Sequence, residues 1–88
     1  MSRTIEDPIA VMEALAALEF SEPEDPHAVS VEYTHPSFRA RVVRRRAPWG
    51  TQLDVLVTEE PDRKGWKAEL LGDAPLEAME ALVRLALA

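Results

Sequence analysis

Five arginines between positions 39 and 46, together with His27 and His35, have the most capacity for chemistry in this sequence. Binding to phosphates needs several cations on one face. In an extended strand, alternate side chains point to opposite sides, so Arg39, Arg41 and Arg45 share a face and Arg44 takes the other. His27 lies beside Glu24 and Asp25 in an acidic, proline-broken connector. A metal centre needs three or four convergent ligands, which a loop of this kind does not supply. His35 and Ser37 flank Pro36 and have no third group at triad spacing. The carboxylate groups Glu59-Glu60 and Glu22-Glu24-Asp25 fall in turns, where water screens them, a setting unsuited to acid-base work. The sequence has no cysteine, which excludes disulfides, thiolate nucleophiles and sulfur-ligated zinc. The expectation is therefore no enzyme, with no cofactor, no metal and no small-molecule substrate.

The elements that position these side chains follow from periodicity. Asp7-Pro8 marks a helix start, and Ile9, Met12, Leu15, Ala16 and Leu18 recur at helical spacing with Glu6, Glu13 and Ala17 opposite. Beyond the connector Ser21 to Pro26, the period shortens to two. Val29, Val31 and Tyr33 alternate with polar residues; after a turn at His35-Pro36, Phe38, Ala40 and Val42 alternate with Arg39, Arg41 and Val43. Turns at Ala47-Pro48-Trp49-Gly50 and at Pro61 to Gly65 bracket a strand carrying Leu53, Val55 and Val57. A fourth strand carries Trp66, Ala68 and Leu70. Gly72-Asp73-Ala74-Pro75 then opens a helix whose apolar members are Leu76, Met79, Leu82, Val83 and Leu87, with Asp73 as its expected cap. The fold class expected is α+β, in α-β-β-β-β-α order: a four-stranded antiparallel meander with the N- and C-terminal helices packed on one face. With 88 residues, the chain has length for one core, a single domain over 1–88.

A hydrophobic fraction of 47% with 30% charged residues is ordinary for a globular chain. The net charge of −6 is unevenly placed: residues 27–46 hold five bases and one acid between two acidic flanks. The leading segment Met1 to Asp7 is charged and has no signal-like apolar run, and no stretch reaches membrane-spanning length, so a cytoplasmic protein is expected. Arginine dominance, abundant alanine and the absence of asparagine fit a GC-rich bacterial or phage gene.

Alternation also defines what the sheet offers to water. Centring each hairpin on its turn places Glu32 opposite Arg39, Val43 opposite Asp54 and Arg41 opposite Leu56. The open face then mixes Arg39, Arg41 and Arg45 with acids and with Val43, Leu56 and Leu71, while Trp49 stands at a turn tip. Aliphatic residues rimmed by arginine suit a protein-binding or self-association surface, with a homodimer among its forms. These seven residues are the expected partner-binding set for a small interaction module, an adaptor, inhibitor or accessory protein. The first strand, from Ala28, has an unguarded edge that offers a second route to pairing. The alternative reading is a nucleic-acid-binding domain using the Arg39 to Arg46 strand. The element order resembles that of double-stranded-RNA-binding domains, but where that family's last helix opens on basic residues this chain has Pro75, Glu77 and Glu80.

Two local similarities complete the reading. Thr34-His35-Pro36-Ser37-Phe38 is similar to a Thr-His-Pro-Ser-aromatic string of ribonuclease III domains, which belongs there to an all-helical fold. Gly65-Trp66 through Gly72-Asp73 and Glu77-Ala78 resembles the strand, Gly-Asp turn and helix of HicB-type antitoxins over about a quarter of the chain.

Overall fold

The computed structural model describes residues 3–88. Helix α1 (Pro8–Ala17) is followed by strands β1 (Ser30–Thr34), β2 (Ala40–Ala47), β3 (Gly50–Val57) and β4 (Trp66–Leu71), and helix α2 (Leu76–Leu87) closes the chain. The strands form one antiparallel sheet in the order β1-β2-β3-β4. This is the α+β meander that the periodicity implies. Short connections make sequential antiparallel neighbours the accessible arrangement, and both helices bury their apolar stripes on one face of the sheet.

The core joins Val31 and Tyr33 of β1, Ala40 and Val42 of β2, and Leu53, Val55 and Val57 of β3 to Val11 and Leu15 of α1 and Met79, Val83 and Ala86 of α2. α2 packs mainly over β3 and β2. Along β4, Trp66, Ala68 and Leu70 are consequently only half-buried. No helix among the described residues is long and apolar enough to cross a membrane.

Asp7 caps α1 as its position implies, accepting from the Ile9 and Ala10 amides at 3.1 Å each, with Pro8 in the first turn. The buried face of α1 is rotated from the expected stripe. Ile9 lies at its margin with 36% exposure, whereas Ala10, Val11 and Leu15 are buried. Alanine-rich helices have a broad apolar arc, so packing against α2 selects the phase.

Asp73 does not cap α2. Pro75 occupies the cap position without a side-chain bond, and the helix entrance is satisfied by main chain. The Leu76 amide donates to the Arg3 carbonyl at 2.9 Å, and the Ile5 amide donates to the Ala74 carbonyl at 3.1 Å. Thr4 and Pro75 thus form a β-bridge that ties the start of the chain to the entrance of its last helix. At the other end of α2, the Arg63 guanidinium donates from Nη2 to the Ala86 carbonyl.

The first hairpin departs most from expectation. Thr34 pairs with Arg41 and Glu32 with Val43, so Glu32 does not face Arg39. The turn takes up Phe38, whose amide donates to the His35 carbonyl at 2.9 Å and whose φ is 59°, a left-handed value. Phe38 is therefore 82% exposed and contributes nothing to the core. Pro36, its φ held at about −65°, does not continue the extended strand, so the connection runs through Phe38 and the register shifts with it. Val29 likewise precedes β1 and is largely exposed.

Candidate functional site

The open face is a grid of three rows set by the strand registers. One row runs Ser30, Arg45, Gln52, Leu71; the next Glu32, Val43, Asp54, Glu69; the last Thr34, Arg41, Leu56, Lys67. The expected pairs Val43 with Asp54 and Arg41 with Leu56 are both present. Val43 and Leu56 sit diagonally on neighbouring strands, within reach of one another, while Leu71 stands two rows from Leu56 at the corner of the sheet.

Cations alternate with acids because the register forces like charges together. Glu32 and Asp54 flank Val43, and Asp54 lies directly opposite Glu69. Each acid is answered by a cation one row away. Arg41 reaches Glu32 at 3.4 Å, Arg45 reaches Asp54 at 3.5 Å and Lys67 reaches Glu69 at 3.2 Å. Arg39 lies just before β2 and pairs with Glu60 of the β3-β4 connection at 3.6 Å. Asp54 is only 6% exposed although it is on the outer face, because Arg45 and Gln52 close over it, the amide Nε2 donating to Oδ1 at 3.1 Å. That burial is not visible in alternation, which assigns a side and not a depth.

Exposed apolar residues gather at one end of this sheet. Trp49, 74% exposed, forms the two-residue β2-β3 turn with Pro48, between the paired Ala47 and Gly50. Leu71, 56% exposed, ends β4 on the same side. Gly50 has φ 126°, which only glycine adopts without strain and which lets the turn stay this short.

The other face hides a polar network that sequence reasoning missed. Arg44 is 2% exposed; its Nε donates to the Ile5 carbonyl at 2.9 Å and its Nη2 to the Glu6 carbonyl at 2.8 Å. Burial pushes the Arg44 pKa below its ordinary value, with Tyr33, Asp7 and Glu6 opposing and Arg46 adding to the fall. Burial pushes the Tyr33 hydroxyl up, Arg44 opposing, and the Tyr33 oxygen has no hydrogen-bond partner. The only signal in the sequence was one arginine out of phase with its neighbours.

A recess of about 210 Å³ opens beside the first hairpin turn, lined by Glu19, Ser21, Thr34, His35, Pro36 and Phe38. His35 stacks edge-on against Phe20 with centroids 5.1 Å apart, and its Nδ1 lies 2.8 Å from Ser37 Oγ and 3.1 Å from the donating Ser37 amide. These bonds close a tight turn on itself. Among the described residues, no carboxylate bonds to the His35 ring, Glu19 of the recess included. Among the described residues, no three His, Asp or Glu side chains converge as metal ligands. His27 instead sits at a turn where its amide donates to Asp25 Oδ1 at 3.0 Å.

Compared with known proteins, the chain matches no family model, no curated protein and no solved structure at a significant level.

Proposed function

We propose that this protein is a small non-enzymatic interaction module, an adaptor, inhibitor or accessory protein, that binds a protein partner through the open face of its sheet. One observation carries the reading. The face is electrically balanced by four cation-carboxylate pairs on a chain of net charge −6, and it presents Val43, Leu56 and Leu71 between those pairs with Trp49 at the rim. A neutral, mixed surface with aromatic and arginine anchors suits protein recognition. A cytoplasmic setting belongs to the same reading and rests on the cysteine-free composition.

The same pairs weigh against nucleic acid as partner. Arg39, Arg41 and Arg45 each have a carboxylate within 3.6 Å, and Arg44 is under the sheet, so of the five arginines from Arg39 to Arg46 only Arg46 is exposed without a carboxylate partner among the described residues.

The test is a Leu56→Lys substitution, placed at a half-buried position in the middle of the face. The fold should persist, as judged by an unchanged circular dichroism spectrum, and association with the partner isolated from the native host should be lost. Retention of that association would remove this face from consideration. Strong, salt-sensitive retention of the wild-type chain on a polyanion column would favour the nucleic-acid reading instead.

A further inference from the structure

Both sheet edges present backbone, and they differ in how much of it this chain already uses and in the charges beside it. Hydrogen-bonded pairs alternate along an antiparallel ladder. The Arg46 amide donates to the Val29 carbonyl, so Val31 and Tyr33 of β1 face β2 while Ser30, Glu32 and Thr34 face outward. That outer edge is already engaged by this chain. The Ser21 amide donates to the Thr34 carbonyl at 2.8 Å and the Thr34 amide donates to Ser21 Oγ at 3.0 Å.

The other edge has no such cover. The Thr58 amide donates to the Arg39 carbonyl, which fixes the even-numbered residues of β3 toward β2 and the odd-numbered ones toward β4. Trp66, Ala68 and Leu70 therefore bond to β3, and the main-chain groups of Lys67 and Glu69 point away from the sheet. Among the described residues, nothing bonds to these four groups.

We infer that β4 is the self-association edge of this protein: two copies pair antiparallel about a twofold axis at Ala68 and form one continuous eight-stranded sheet. The register follows from which groups are free. With Ala68 opposite Ala68, Lys67 of one copy faces Glu69 of the other in a hydrogen-bonded pair, and the symmetry repeats this once more. On the open face, each cation meets a carboxylate of the second copy directly across the ladder, the favourable arrangement for cross-strand charge. On the helix side, Trp66 comes opposite Leu70 of the second copy, and small alanines meet on the axis. These residues make up the apolar row that α2 leaves half-buried. The interface is thus complementary to itself on both faces, as a twofold contact requires. At the β1 edge the corresponding axis at Val31 sets Glu32 against Ser30, with no cation to meet it.

This association does not depend on the open-face reading, since it is made by the outward main chain of β4, whereas Leu56 belongs to β3. The test is the mass of the full chain in solution over a dilution series. A dimer of twice the 9.8 kDa chain mass is expected, and a monomer at every concentration overturns the proposal. Lys67→Pro removes an outward amide without touching the β3-β4 ladder, so the variant should fold and be monomeric. A dimer as tight as wild type in that variant would also overturn it.

Charge exchange tests the register itself. Lys67→Glu sets like charges opposite twice, and so does Glu69→Lys; each should raise the dissociation constant roughly tenfold or more. An equal mixture of the two variants restores both opposite-charge pairs and should form a heterodimer of near wild-type affinity. Failure of the mixture to recover, with both variants folded, overturns the Ala68-centred pairing.

Discussion

Arg44 holds the segment before α1 to the sheet, its Nε donating to the Ile5 carbonyl at 2.9 Å from a position 2% exposed to solvent. Ile5 is itself fully buried, and the next residue, Glu6, gives its carbonyl to the same guanidinium. A planar fork that satisfies two successive carbonyls has no substitute among the other side chains. Among the described residues, no carboxylate lies within ion-pair distance of Arg44, so its charge rests on main-chain dipoles and on the more distant Glu6 and Asp7.

Arg44→Ala should therefore cost about 3 kcal/mol or more, since it opens a cavity and strands two carbonyls. Arg44→Lys should recover less than half of that loss, because a point charge cannot span both acceptors. Urea midpoints of the two variants check this, and an Arg44→Lys variant as stable as wild type would show that charge alone suffices.

Tyr33 gives a pH signature. Burial raises its hydroxyl pKa above the ordinary 10.0, with Arg44 opposing. Below pH 10 the group is neutral folded or unfolded and adds no slope. As pH rises past the unfolded value, the unfolded chain releases its proton first, so stability falls until the folded pKa is passed. Tyr33 is the sole tyrosine, so tyrosinate absorbance reports it directly. Tyr33→Phe should abolish this part of the alkaline loss. It should also stabilise the protein by about 1 kcal/mol at neutral pH, because it removes a buried hydroxyl without a partner. A Tyr33→Phe variant less stable than wild type would mean that the hydroxyl is satisfied after all.

Phe38 sits at φ 59° with its ring in solvent, a conformation that costs a non-glycine residue roughly 1 kcal/mol. Phe38→Gly should be more stable than Phe38→Ala by a similar amount, measured as the difference in melting temperature. Equal stability of the two would indicate a turn that relaxes out of the left-handed region.

Asp7→Ala removes the acceptor for the Ile9 and Ala10 amides and should cost about 1 kcal/mol. Asp7→Asn should restore most of this, and a loss that only a carboxylate repairs would assign the effect to the field at Arg44 instead.

The contrast between Asp7 and Phe38 shows what the sequence made legible. Asp7-Pro8 is a local signal, complete within four residues, and the cap is where it should be. The order of elements and the outward direction of Val43, Leu56 and Leu71 came from two-residue alternation, which β4 keeps throughout and β2 and β3 keep except at Arg46 and Asp54. Phe38 reads as the start of a strand because its apolar character fits the alternation. Its actual position depends on how many residues the turn consumes, which the alternation of either strand does not encode. The helix α2 cap was missed for a related reason, since its partner is the main chain of Arg3, remote in sequence. The burial of Asp54 and Arg44 depends on which neighbours fold over them, and no pattern within one strand encodes it.

The bridge between Thr4 and Pro75 bears on how the chain acquires its structure. The four strands can zip sequentially through near-neighbour turns, but the segment that Arg44 anchors lacks its bridge partner until the residues leading into α2 exist. A nascent chain therefore carries an apolar sheet surface that α1 alone can cover until α2 has been made. Long-range closure of this kind delays the committing step of folding. During that interval, the growing polypeptide is at its most vulnerable to aggregation.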